Sequence, residues 1–144
     1  MPDSCVFCEI AAGRAPASVV YEDHLTLAFM DLAQPSRGHS LVVPKRHVQD
    51  IFSLDDDLGA ALFTATRRVA QATRLAFDPE ALTIWQQNGR PWQEVLHLHY
   101  HVLPRWRGDG VFRPWKDVKP SPRAELDRQA RLIRKALPGV SYGS

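Results

Sequence analysis

Three of the chain's six histidines, His97, His99 and His101, fall within five residues and alternate with Leu98 and Tyr100. Side chains alternate faces along a strand, so an extended stretch over 94–105 sets three imidazoles on one face, about 6–7 Å apart. Its other face, Leu96, Leu98, Tyr100 and Val102, is a core face. Wound as a helix, the same residues scatter the histidines and leave no apolar stripe. The wet side of an antiparallel sheet ordinarily carries Thr, Lys or Glu. A row of imidazoles instead suits a site where a proton moves, a metal binds or a phosphorus is attacked. Pro104 is expected to end the strand, having no N–H for a ladder. The two cysteines, Cys5 and Cys8, form one C-x-x-C. In a reducing compartment that spacing reads as a metal half-site or a redox pair, not a structural staple.

Short strands must carry these groups. Residues 19–21 and 25–30 read as a hairpin, with Asp31 where the second strand stops. Residues 40–43 read as a third strand, halted by Pro44 and followed by Lys45, Arg46 and His47. Residues 53–77 read as one long helix. Ser53 with Asp56 resembles a capping box, and Asp55, Asp56 and Asp57 suit the positive end of the helix dipole. Leu54, Leu58, Leu62, Ala65, Val69 and Ala72 keep helical spacing, and Pro79 closes the helix. Residues 82–85 read as a fourth strand, 86–93 as a polar loop, and the histidine stretch as the fifth strand.

Beyond Arg105 the sequence turns basic and aromatic, with Trp106 and Trp115 expected either at a dimer seam or over a pocket. Residues 119–122 read as a linker, 123–137 as an amphipathic helix and 139–144 as a frayed tail. The expected class is α+β: a five-stranded, mostly antiparallel sheet with one long helix and a C-terminal helix. One domain is expected over 1–144, with 106–144 a C-terminal extension containing a helix.

The chain's 144 residues suffice for one core. A net charge of +2, with 44% hydrophobic and 24% charged residues, is ordinary for a soluble globular protein and makes no case for nucleic acid or membrane binding. No apolar run has the length of a membrane span, and the N-terminus lacks the pattern of a secretory signal. A cytoplasmic location is the default expectation.

The run from His97 to Leu103 resembles the His-x-His-x-His-x-x signature of the histidine triad (HIT) superfamily, in its Hint-like microbial branch. Supporting stretches match in the same order: Cys5 to Cys8, Ala28 to Asp31, Gly38 to His47, Gln87 to Gly89, and Gln93 to Val95. The resemblance covers about 5–105. It implies a HIT-like fold and a nucleotide hydrolase or nucleotidyl transferase, usually a homodimer, acting on a purine nucleotide at its α-phosphorus. His99 is then the nucleophile that becomes nucleotidylated, and water resolves the intermediate. His101 and His39 resemble phosphate-side histidines, and Gln93 the glutamine beside the bridging oxygen. Asp31 resembles the carboxylate that binds ribose hydroxyls. Gln87, Asn88 and Glu94 belong to the nucleotide-binding set, and Phe7 and Ile10 to an apolar slot for the base. In some members the C-x-x-C, the histidine after Pro-Lys-Arg and the first triad histidine bind zinc. Here those positions are Cys5, Cys8, His47 and His97, a closed Cys₂His₂ set that implies structural zinc.

The chain departs from the family pattern at three places. Glu94 stands where Ser or Thr is usual, Trp92 stands where glycine is usual, and the segment 89–93 is about one residue short. Two other functions compete with the phosphoramidate, acyl adenylate or dinucleoside polyphosphate hydrolase. One is a metal-dependent hydrolase using the histidine strand as ligands. The other is a nucleotide-binding module with little turnover.

Overall fold

The computed structural model describes residues 5–140. A short helix α1 (Val6–Ala11) is followed by β1 (Val19–Glu22), β2 (Thr26–Met30) and β3 (Ser40–Pro44). Then come the long helix α2 (Asp56–Phe77), β4 (Ala81–Trp85), β5 (Tyr100–Arg105) and α3 (Arg123–Ala136). The strands form one antiparallel sheet in the order β1-β2-β3-β5-β4. The expected α+β class and five strands are therefore present. The expected tail falls partly outside the described residues, at 141–144. Val140, by contrast, is buried.

Every residue of β2 and β3 is buried, because both faces of the sheet are covered. Ala28, Met30, Val42, Leu98 and Val102 meet α2 and α3 in the larger core. Leu27, Phe29, Leu41 and Val43 point the other way and pack with Cys5, Phe7 and Cys8 of the α1 region. The period-two alternation thus sends the histidines to the α1 face and Leu98 and Val102 to the helix face.

Three expectations about boundaries are corrected. First, Ser53 does not cap α2: it lies in a 3₁₀ turn (Ile51–Ser53), and Asp55 is the cap, accepting from the Leu58 N–H at 2.8 Å. A carboxylate one residue before the helix satisfies an orphan donor and also faces the dipole, which a serine two residues earlier cannot do. At the far end Asp78 adopts a left-handed φ of 47° before Pro79.

Second, β5 begins only at Tyr100 and does not stop before Pro104, which pairs with Leu82 of β4. The β3 ladder ends at Val102, so a residue lacking an N–H costs nothing on that side. His97 and His99 lie before the strand. There the Leu98 N–H bonds the Val48 carbonyl at 2.7 Å, and the His97 ring takes the Pro44 carbonyl at 2.8 Å. Third, residues 119–122 are not a loose linker. Pro120 bridges to Ala33, and the Ser121 N–H bonds the Leu32 carbonyl at 2.9 Å.

Candidate active site

His99 is buried, and its Nδ1 lies 2.7 Å from the His97 carbonyl. A carbonyl only accepts, so Nδ1 carries the proton and Nε2 keeps its lone pair. Burial holds the His99 pKa below its ordinary value, against the pull of the His97 carbonyl and of the Asp31 and Glu94 charges. The ring therefore stays neutral, with a free nitrogen, at neutral pH.

His101 and His39 form the neighbouring pair, with His39 Nε2 2.9 Å from His101 Nδ1. His39 precedes β3 and is fully buried; its Nδ1 donates to the Ala33 carbonyl at 2.7 Å. His39 Nε2 therefore accepts in the neutral pair, and His101 Nδ1 donates. Asp31 Oδ2 lies 3.7 Å from His39 Nε2 and favours a proton on the pair. Burial opposes one: it lowers the His39 pKa, and together with the charges of His39 and His99 it lowers His101 to about 2. The loop that delivers His39 is closed by Gln34, whose amide bonds the Asp31 and His39 carbonyls and the Gly38 and His39 N–H groups. Gly38 sits at φ +93°, and a Cβ there would stand 2.8 Å from the Phe77 ring and 3.1 Å from Pro104. Only glycine allows both that dihedral and that approach.

His99 and His101 open on a cavity of about 900 Å³. Phe7, on α1, stands edge-on to His99 at 5.2 Å and to Phe29 at 5.4 Å, and Ile10 continues that apolar wall. On the other side Trp115 stacks on Trp85 at 5.3 Å. It stands edge-on to His39 at 5.0 Å and to His101 at 5.2 Å. Trp115 lines the cavity, one of the two placements expected for it. The preceding turn is pinned by Asp109, which accepts from Arg105, from the Trp106 N–H and from the Val111 N–H. The Arg105 guanidinium holds the Asp109 carboxyl down at about 2.

Asp31, Gln87, Glu94, Phe7 and Ile10 line the cavity with His99 and His101. Gln93 and Asn88 do not. The buried Gln93 amide bonds the Gln49 carbonyl at 2.7 Å and the Gly89 N–H at 2.9 Å. Asn88 Oδ1 accepts from the Ile51 N–H and from Gln86. Both brace the loop between β4 and β5. Sequence reasoning missed Trp85 and Phe29 as wall residues. Both were read as strand residues, but nothing local marked the surface they face.

Cys5, Cys8, His47 and His97 converge beside this site. Their ligand atoms stand 3.3 Å apart for Cys5–His97 and Cys8–His47, 3.5 Å for Cys8–His97 and 3.2 Å for His47–His97. A tetrahedral zinc with Zn–N of about 2.0 Å and Zn–S of about 2.3 Å needs ligand separations of about 3.3–3.8 Å. The donor set also fits in its protonation. His97 Nε2 donates to the Pro44 carbonyl, which leaves Nδ1 bare toward the thiols. Burial lowers the His97 pKa to about 4 and raises the Cys8 thiol to about 11. A bound cation would relieve the second of these by taking the thiolate. Such a site holds four protein ligands, and what it supplies is cross-linking of α1 to the sheet.

Comparison with known proteins gives the family and the fold. A family model described as the HIT domain matches residues 12–108. The protein hit of Bacillus subtilis is 40% identical over 141 residues, 94% of this chain and 95% of that one. An adenosine 5'-monophosphoramidase of Schizosaccharomyces pombe is 38% identical over 71% of this chain and 74% of its own. A Zn-bound histidine triad family protein from Mycobacterium smegmatis superposes with a TM-score of 0.81 at 34% identity, covering 94% of each chain.

Proposed function

This chain belongs to the HIT domain family, and from that premise we propose that it hydrolyses a purine nucleotide derivative at its α-phosphorus through a nucleotidyl-His99 intermediate. The observation that carries the reading is the His99 ring: its proton is committed to the His97 carbonyl, and its lone pair is free beside a nucleotide-sized cavity. Nε2 attacks phosphorus, and the bond from phosphorus to the leaving nitrogen or oxygen breaks. The leaving atom takes a proton, and water then cleaves the P–N bond to His99. The His39–His101 pair supports charge and proton movement on the phosphoryl oxygens. A bound phosphate adds negative charge beside the pair and raises its affinity for a proton. Asp31 offers two acceptor oxygens to a ribose diol, and Phe7 and Ile10 an apolar wall to the base. Gln93 acts here through the loop it braces. Zinc held by Cys5, Cys8, His47 and His97 is structural. A homodimer is part of the proposal: Phe52, Phe63 and Ile84 are exposed, and β4 is an open sheet edge.

The test is a rapid quench of the protein with adenosine phosphoramidate. Mass spectrometry should find an adenylyl group on the peptide containing His99, and His99→Ala should abolish both adduct and turnover. Equal turnover by His99→Ala would remove the proposed nucleophile. Metal-dependent hydrolysis has one observation in its favour, since Asp31, His39 and His101 also bring ligand atoms within 4.8 Å of one another. The three triad imidazoles do not converge on one point, however, because His97 turns to the cysteines and His99 joins neither cluster. Activity that disappears with a chelator in folded protein, with no trapped adduct, would favour the metal reading.

A further inference from the structure

Two carboxylates bear on the His99 ring, those of Asp31 and Glu94. The first is engaged: Asp31 Oδ1 accepts from the Ala33 N–H at 2.9 Å, and Oδ2 faces His39. The second is not. Glu94 is an exposed residue of the cavity lining, and its carboxylate makes no hydrogen bond or ion pair among the described residues. Of the cations that line the same cavity, Arg113 bonds the Asp109 and Gly110 carbonyls and Arg123 bonds Ser18 Oγ; neither these nor Lys116 pairs with Glu94 among the described residues. An unpaired carboxylate beside a phosphate site repels every nucleotide alike. It becomes favourable only when the substrate brings its own positive charge. The apolar wall of Phe7, Ile10 and Phe29 suits the nucleoside. The part of the substrate left for the rim is the leaving group. Besides Glu94, that rim carries the exposed ring of Trp92, which also receives cations well, whereas Phe112 already faces the Arg105 guanidinium at 4.8 Å.

We propose that Glu94 is a specificity-determining residue, selecting nucleoside monophosphoryl compounds whose leaving group carries a second, protonated amino group a few bonds from phosphorus. This rests on the His99 reaction proposed above and adds to it the charge of the leaving group. The same position holding Ser or Thr would be indifferent to that charge.

Three adenosine phosphoramidates of equal length test it, made with diaminopropane, n-butylamine and γ-aminobutyrate, so that the distal group is an ammonium, a methyl or a carboxylate. In wild type, kcat/KM should be about fivefold higher for the ammonium than for the methyl compound, and about fivefold lower for the carboxylate, the upper size of one exposed ion pair. Both ratios should shrink as ionic strength rises. Glu94→Gln should bring them toward one, and Glu94→Lys should reverse their order. Ratios within one variant cancel any common loss from altered folding or phosphate binding. Wild-type ratios near one, a preference for the carboxylate compound, or ratios that survive Glu94→Gln would each overturn the role of Glu94. If no compound turns over, or if His99→Ala turns over all three as wild type does, the His99 reading falls and this inference with it. His99-dependent turnover with charge-blind ratios sinks the inference alone.

Discussion

Two clusters of buried histidine lie side by side on the α1 face of the sheet, and they use the same ring in opposite senses. In the cysteine cluster, His97 gives its Nε2 proton to the Pro44 carbonyl and turns a bare Nδ1 toward Cys5 and Cys8. Two residues later, His99 gives its Nδ1 proton to the His97 carbonyl, which leaves Nε2 bare beside the cavity. Which carbonyl is in reach decides which nitrogen is free, and the neighbours of that nitrogen decide what it does. Thiols beside it suit a metal ligand; open space the size of a phosphate suits the nucleophile proposed above. The clusters also share parts. His97 contributes its ring to one and its carbonyl to the other, and Phe7, between the two cysteines in sequence, packs edge-on against both rings.

The contrast breaks most sharply on substitution. His99→Ala should lower kcat for a phosphoramidate by roughly three orders of magnitude or more, while zinc affinity, followed by competition with a chromogenic chelator, stays as in wild type. Cys8→Ser should do the reverse. Tight zinc binding should vanish, and stability by urea unfolding should drop by about 3 kcal/mol at zinc a hundredfold above Kd. His99-dependent turnover should survive in the fraction that remains folded. Should His99→Ala release zinc, or Cys8→Ser erase turnover in folded protein, the clusters form a single unit.

Gly38→Ala probes the cavity cluster alone. Its strained dihedral and the approach to Phe77 should cost about 2 kcal/mol in thermal or urea unfolding. The shift of His39 should lower kcat, with zinc affinity unchanged.

Acid should weaken the cavity cluster and, without metal, the cysteine cluster as well, since burial also lowers His97 to about 4. Burial depresses the folded pKa values of His39 and His101, so below the unfolded value of about 6.5 the unfolded chain binds more protons. Stability from these two groups is complete above that pH and is lost as pH falls toward the folded value, about 2 for His101. The slope is on the order of 1.4 kcal/mol per pH unit for each histidine. In metal-free Cys8→Ser protein, where zinc release cannot contribute, unfolding measured between pH 7.5 and 5 should show it, and His101→Gln should remove one histidine's share. For the same reason the acid limb of kcat/KM should lie below pH 6.5, since His99 is also depressed.

Much of the fold was legible because it follows from local pattern. The period of two over residues 98–102 placed Leu98 and Val102 in the helix-side core, and helical spacing placed Leu58, Leu62, Ala65, Val69 and Ala72 there too. Boundaries were less legible. Pro104 read as a stop because a proline has no donor, but the pairing with β3 ends at Val102 on that side, a fact about another strand. The start of β5 failed for a similar reason: His97 and His99 keep the alternation of a strand while bonding Pro44 and Val48 outside any ladder.

The residue types, their order and the spacing of Cys5, Cys8, His47 and the His97–His101 run were enough to name the family and to propose the chemistry, since imidazole, thiol and carboxylate carry their reactivity with them wherever the chain puts them. The assignment of roles needed the folded chain. Only there does Pro44 reach one ring and the His97 carbonyl another, Gln93 turn from the cavity to brace its loop, and Trp115, fourteen residues past the last triad histidine, settle over His39 and His101. A histidine's free nitrogen and a side chain's facing are properties of neighbours distant in sequence, and no local pattern encodes them.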